Sequence, residues 1–235
     1  SGGQPILIDP ERLAFPISGT AGRNDPVTSW AHIPGPVRPW YQKRIVTFGP
    51  ESLGKSTLAA RLGALNGGIY VPEYGRVFDQ FSVGDEWKHD DFLQIAKGHT
   101  ALRAAVAPKA GPVLIEDTDP LLTAIWAQML TGISLSSLEE ETPLADLYLL
   151  LDIDVPWVDD GTRYFGDSQR EKFMSLCLEI LEGRKARFII LSGNWAAREK
   201  QARSAVEMLR AEPFPGRWNF GPESFPVLGI GSQPE

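Results

Sequence analysis

The amino-acid sequence predicts an α/β protein with a parallel five-stranded sheet flanked by helices, and three observations carry that expectation. Short apolar runs alternate with amphipathic helical stretches between Arg44 and Leu209, the pattern left by parallel strands joined through crossover helices. A glycine-rich turn, Gly49 to Thr57, falls between the first such run and the first such helix. The chain of 235 residues is 43% hydrophobic and 23% charged, enough apolar content to bury one core of ordinary size.

In chain order the expected strands are Arg44 to Phe48, Ile69 to Pro72, Val113 to Asp117, Leu147 to Leu151 and Arg187 to Leu191. The expected helices are Lys55 to Leu65, Asp90 to Ala107, Leu121 to Leu130, Ser168 to Glu182 and Ala196 to Arg210. Together they define one domain over residues 43–210. Residues 1–42 are rich in Pro and Gly without a sustained helical period, so an irregular segment is expected there. Beyond Ala211, the closely spaced Pro213, Pro215, Gly216, Gly221 and Pro222 predict a tail over residues 211–235.

Composition narrows the partners. Thirty acidic against 23 basic side chains give a net charge of -7, a poor surface for a nucleic-acid backbone, so a small molecule is expected and nucleic acid is not. No stretch approaches the about 18 uninterrupted apolar residues of a membrane span, and no signal peptide is read, so no membrane partner is expected. The single cysteine, Cys177, lies in an apolar helical pattern and reads as core packing in a reducing, cytoplasmic compartment.

The turn Gly49-Pro50-Glu51-Ser52-Leu53-Gly54-Lys55-Ser56-Thr57 is a Walker A phosphate loop in its required setting, a buried strand before and a helix after. There backbone N–H groups and a helix N-terminus converge on phosphate, which identifies the fold class as a P-loop NTPase that binds ATP or GTP. Gly49 and Gly54 allow the turn, Lys55 is expected at the terminal phosphates, and Ser56 is expected on Mg²⁺. Thr57 is expected to face the α-phosphate.

Four further segments are expected at the carboxyl edge of the sheet, where open α/β folds bind ligands. The apolar run Val113 to Ile115 ends in Glu116-Asp117; Asp117 is expected beside the metal. Asp119, two residues on, reads as the carboxylate that receives the acceptor's proton or as the N-cap of the next helix, and both roles can coexist. Glu73 and Arg76 in Pro72-Glu73-Tyr74-Gly75-Arg76 read either as acceptor-binding and charge-stabilising groups or as an intrahelical ion pair. The stretch from Val155 to Arg163 suits a lid closing over phosphates, with Arg163 and Arg170 as its cations and Trp157 as a ring platform, or a solvated helix start capped by Asp159 or Asp160. Gly193 and Asn194, after the last strand, read either as contacts to the base of the nucleotide or as an ordinary helix cap.

Taken in order, these motifs resemble the ribosylnicotinamide kinase domain of NadR-type bifunctional proteins. The matching residues are Arg38-Pro39, Lys43-Arg44, Gly49 to Thr57, Glu73 to Arg76, Gly84 to Glu86, Gly98-His99, Asp117 to Asp119, and Trp157 to Gly161 with Arg163. The resemblance implies a nucleoside-kinase-like fold, ATP and Mg²⁺ as cofactors, and phosphorylation of nicotinamide riboside to NMN in NAD salvage. It implies catalytic roles for Lys55, Asp119, Glu73 and Arg163, and acceptor contacts from Glu73, Tyr74, Arg76, Asp119, Trp157 and Asp160. Ile17 to Thr20 with Arg23 look like the closing motif of a nucleotidyltransferase fold, of which residues 1–42 would be a remnant. The only histidines, His32, His89 and His99, lie downstream of that motif, so adenylyl transfer is not expected. Where the family commonly has a Trp against the nicotinamide ring, this chain has Pro72; Tyr70, Tyr74 or Trp157 are the candidates to replace it. Two other readings stand beside this one: a kinase for a different nucleoside, and an ATP-responsive regulatory module without small-molecule chemistry.

Overall fold

A computed structural model describes residue 9 and residues 11–82, 86–156 and 167–213. Strands β1 (Lys43–Phe48), β2 (Val113–Asp117), β3 (Leu147–Leu151) and β4 (Phe188–Leu191) form one parallel sheet in the order β2-β1-β3-β4. Ile45 stands opposite Ile115 on one side and Leu147 on the other, and Leu151 opposite Leu191. β2 and β3 are buried along their whole length, as strands covered on both faces must be.

Alternation along the strands divides the core in two. On one face Ile45, Ile115, Leu149 and Leu151 pack with Leu58 and Leu62 of α2 (Lys55–Leu65) and with Ala202 and Val206 of the last helix. On the other, Val46, Phe48, Tyr148 and Leu150 meet Leu121 and Ile125 of one helix and Phe173, Cys177 and Leu181 of another. Cys177 is fully buried and free, and burial pushes its thiol up, so it is a small apolar side chain of the core.

The expected fifth strand is reduced to a single residue. Val71 alone bridges to Glu116, its N–H donating to Ile115 O at 2.9 Å and its carbonyl accepting from Asp117 N at 2.7 Å. Gly67 and Gly68 turn the chain at positive φ just before it, and Pro72 with the start of α3 (Tyr74–Phe81) ends it just after. The sheet is therefore four-stranded, with Val71 as a one-residue fifth rung outside β2.

The remaining helices are α4 (His89–Val106), α5 (Pro120–Thr131), α6 (Ser136–Glu141), α7 (Asp167–Gly183) and α8 (Trp195–Ala211), after the short α1 (Gly19–Asn24). α5 starts with Pro120 behind the N-cap Asp119, a pairing that satisfies orphan N–H groups and presets φ. The described residues before β1 hold no long element. Trp30 Nε1 donates to Ala110 O at 3.1 Å, and the Gln42 amide donates to Ala107 O and Gly111 O at 2.7 and 3.0 Å. These bonds dock the segment at the amino end of β2, across the sheet from the phosphate loop. Lys43 Nζ, donating to Leu209 O at 2.6 Å and also to Glu212 O, fastens the end of α8 at the same edge. Among the described residues, no helix is long and apolar enough to cross a membrane.

Candidate functional site

The phosphate loop curls because three of its residues adopt positive φ: Gly49 at 124°, Ser52 at 69° and Gly54 at 82°. Gly54 is also needed for space. A Cβ there would stand 2.7 Å from Cζ3 of Trp195, whose ring lies across the loop with the Arg61 guanidinium 5.5 Å from its centroid. α2 begins at Lys55, so its N-terminus points into the loop, as phosphate binding requires. Ser52 Oγ is buried and makes no hydrogen bond within the protein, and Lys55 Nζ bonds to Pro50 O at 2.6 Å. Both polar groups thus turn into the loop, and the donor set fits a nucleotide triphosphate chain.

Beside the loop, the Asp117 carboxylate accepts from Thr47 Oγ1 at 3.3 Å, and the Ser56 hydroxyl lies near enough to favour its ionised form. Burial, and then the charge of Glu73, push the Asp117 carboxyl up, opposed by Ser56 and Lys55. Burial draws the Lys55 ammonium down, while Glu73 and Asp117 pull it back up. A hydroxyl and a carboxylate side by side at a strand end form a hard-oxygen pair suited to Mg²⁺. Glu73 reaches the same charge cluster from the start of α3.

From this cluster a cleft of about 680 Å³ runs between α3, α4 and α5. Glu73, Tyr74 and Arg76 line it. Glu73 and Arg76 are the ion pair that their spacing allowed: Arg76 Nε donates to Glu73 Oε2 at 2.7 Å, with the arginine 72% exposed and the glutamate 17%. Tyr74 explains Gly98. A Cβ on Gly98 would stand 2.1 Å from the Tyr74 ring, so the glycine of Gly98-His99 is the seat on α4 that lets Tyr74 lie flat beside the cleft.

Several expected site residues make hydrogen bonds within the protein, and others lie outside the described residues. The Asp119 carboxylate is 1% exposed and outside the cleft lining: Oδ1 accepts from Leu121 N and Leu122 N at 3.0 and 3.3 Å, and Oδ2 from the Tyr148 hydroxyl at 2.8 Å. Its oxygens are taken up by the cap of α5, and Thr118, at a φ of 66°, is what the turn presents to the cleft. Burial pushes the Asp119 carboxyl up despite the Tyr148 bond. Asn194 Oδ1 accepts from Ala197 N at 3.0 Å and Gly193 O from Arg198 Nε at 2.9 Å, so this turn is a helix cap tied to a buried arginine. Arg170, 2% exposed, donates from both terminal nitrogens to Val155 O at 3.1 Å and so clamps the chain leaving β3. Arg163, Trp157 and Asp160, with Asp159, lie outside the described residues.

The structure also brings in residues that were not anticipated. Trp87, Phe92, Leu122 and Trp126 line the inner cleft. Trp87 stacks on Phe78 at 6.4 Å and lies 5.4 Å from Phe92, while Trp126 meets Phe173 edge-on at 5.0 Å. Tyr70, one candidate to replace the missing aromatic face, packs instead against Gly63 of α2. Behind the cleft, Glu116 is wholly buried among Arg44 Nε at 2.6 Å, His99 Nε2 at 3.0 Å and Arg103 Nη1 at 3.7 Å. Burial alone would raise its carboxyl; the Arg44 charge and the His99 and Arg44 hydrogen bonds hold it down to about 2.

A parallel sheet with a Walker A loop between β1 and α2, and a hydroxyl–carboxylate pair beside it, defines a P-loop nucleotide-binding protein. The chain belongs to the AAA domain family, whose profile matches residues 44–198. It is 34% identical over 194 residues to the trifunctional NAD biosynthesis/regulator protein NadR of Escherichia coli (strain K12), covering 79% of this chain and 47% of that one. The same protein of Salmonella typhimurium matches with the same identity and coverage. This chain therefore spans about half the length of the curated relatives it matches. Its fold is similar to a crystal structure of NadR protein in complex with NR, at a TM-score of 0.70, 23% identity, and 84% and 60% coverage of the two chains. A thymidylate kinase from Candida albicans has the fold at a TM-score of 0.50 and 18% identity, covering 74% of this chain and 95% of its own.

Proposed function

We propose that this chain is an ATP-dependent small-molecule kinase that phosphorylates the 5′-hydroxyl of nicotinamide riboside to NMN. The observation that carries this reading is one continuous arrangement: Lys55, Ser56, Asp117 and Glu73 converge at the mouth of a cleft whose inner end is aromatic. Similarity to NadR over most of the chain, and a fold shared with a NadR structure containing NR, support the choice of acceptor.

Phosphoryl transfer asks a protein mainly for alignment and charge stabilisation. The loop N–H groups and Lys55 hold the terminal phosphates, with Thr57 at the outer rim of the loop. Ser56 and Asp117 would hold Mg²⁺, which when bound neutralises phosphate charge. Glu73, at the junction of loop and cleft, orients the acceptor hydroxyl and takes its proton; the engagement of Asp119 with the α5 cap and Tyr148 supports Glu73 over Asp119 for this task. Arg76 holds Glu73 in place through their ion pair. The planar ring of the acceptor fits the Trp87, Phe92 and Trp126 end of the cleft, which supplies the aromatic surface absent at Pro72.

The test is conversion of nicotinamide riboside to NMN by the purified protein with ATP and Mg²⁺, followed by mass spectrometry. NMN is expected from the wild type; a folded, ATP-binding protein without turnover contradicts the reading. Pro72 favours a second reading, a kinase for another nucleoside. A panel of nucleosides assayed for ADP release separates the two, with nicotinamide riboside at no advantage as the result that selects the second.

A further inference from the structure

His99 belongs to no step of the transfer chemistry, yet it joins the buried charge cluster to the inner cleft, bonding Glu116 while lining the cleft. It sits on the face of α4 that also carries Phe92 and Ile95, spaced as successive helical turns require, and all three line the cleft. The residue is only 2% exposed, and Nε2 is turned away from the cleft onto Glu116 at 3.0 Å. That leaves Nδ1 as the only polar atom His99 offers to a ligand.

The direction of the Glu116 bond settles what Nδ1 offers. Glu116 is paired with Arg44 at 2.6 Å and faces Arg103 at 3.7 Å, so it is an ionised acceptor and Nε2 carries the proton. In the neutral ring Nδ1 then presents a lone pair. The cleft that His99 lines also carries Phe92, Ile95, Leu122 and Trp126, with the hydroxyls of Thr118 and Thr123 among them and no carboxylate from α4 or α5. A lone pair in such a wall accepts from an amide N–H and repels a carboxylate, which brings negative charge and no donor.

We propose that His99 is a specificity-determining residue of the acceptor cleft, reading the ring carboxamide of a pyridinium nucleoside through Nδ1 and disfavouring the carboxylate counterpart. Glu116 acts as the positioning residue that fixes the His99 tautomer. The inference rests on the proposed kinase reading.

The experiment compares kcat/KM for nicotinamide riboside with that for nicotinic acid riboside at one fixed pH. The ratio of the two is independent of how much of a sample is active. In the wild type a preference of at least about tenfold for the amide is expected. In His99→Phe, which keeps a ring of similar size and removes both nitrogens, the ratio is expected within about threefold of unity. Glu116→Gln is the second variant: its amide donates to Nε2, moves the ring proton to Nδ1, and shifts the ratio toward the carboxylate, which loss of packing alone would not do. An unchanged preference in folded His99→Phe, or equal use of both nucleosides by the wild type, overturns the inference and leaves the kinase reading intact. A wild type that phosphorylates neither nucleoside overturns the kinase reading and the inference together.

Discussion

The two ends of the cleft are built differently. The phosphate loop offers a ligand backbone N–H groups, a helix N-terminus and a few side chains adjacent in sequence, Lys55 to Thr57. At the acceptor end they come from side chains on α3, α4 and α5 that meet only when three helices pack: Tyr74 on Gly98, Trp87 on Phe78, His99 on Glu116. A backbone-built site constrains residue type at each position, since only glycine takes the turn at Gly54 beneath Trp195. A side-chain-built site constrains only the sum of shapes, so more residue combinations can build it.

This contrast predicts separable damage. The largest effect is expected from Lys55→Ala, which removes the loop cation and should lower kcat by more than about 10³-fold for every acceptor tested. Steady-state assays with several nucleosides check it; a loss confined to one acceptor would break the separation between the two ends.

Next comes the charge cluster behind the acceptor end. The folded Glu116 carboxyl at about 2, against 4.5 ordinarily, means the ionised form is favoured by folding. Its stabilisation is present above the ordinary value and is lost as pH falls toward about 2. The drop corresponds to ~3 kcal/mol, an order-of-magnitude figure for a buried group. Arg44, His99, Arg103 and Asp119 all act on this carboxylate, and Arg44 is the strongest of its lowering partners. Urea unfolding from pH 5 to pH 2 should therefore steepen in the wild type and flatten in Arg44→Met. An equal slope in both would show that the cluster is not linked to folding in this way.

A smaller, local effect is expected at Gly98. Gly98→Ala drives a methyl into the Tyr74 ring, so KM for the acceptor should rise about tenfold while KM for ATP stays within about twofold. Equal rises in both constants would mean that the two ends are not independent.

The smallest catalytic effect belongs to Asp119. Asp119→Asn weakens the cap of α5 and the Tyr148 bond, at about 1–2 kcal/mol of stability, with kcat changed less than about threefold. Thermal unfolding and turnover on one sample check this. A loss of about 10²-fold in kcat at unchanged stability would return Asp119 to the role of proton acceptor.

How much could be read from the sequence follows the same division. α2 spans Lys55–Leu65 as expected, because its boundaries are set by the loop motif and by local periodicity. Strands β2 and β3 also fall on their apolar runs, and Asp117 stands beside Ser56 because a parallel strand next to β1 must end there. The sequence marks α3 as helical only through the Glu73–Arg76 spacing, since eight residues are too short to carry a clear helical period. Ile69 to Pro72 read as a strand, but Gly67, Gly68 and the α3 start left room for one rung. Asp119 and Asn194 show a recurring ambiguity: a short polar side chain after a strand is equally a ligand group and a helix cap, and the capping bonds decide. Trp87 and Trp126 carried no local mark of a ligand site, because their place depends on how α4 and α5 pack. One signal was available, the Gly98-His99 pair in mid-helix, where glycine is costly unless something lies against it.

The central claim is that both ends of the cleft act on one reaction. The direct measurement is the fate of an isotopically labelled γ-phosphoryl group of ATP incubated with the protein, Mg²⁺ and nicotinamide riboside. Label recovered in NMN, in step with ADP formed, is the predicted result. Label recovered only as inorganic phosphate, at a rate indifferent to the nucleoside, would contradict it.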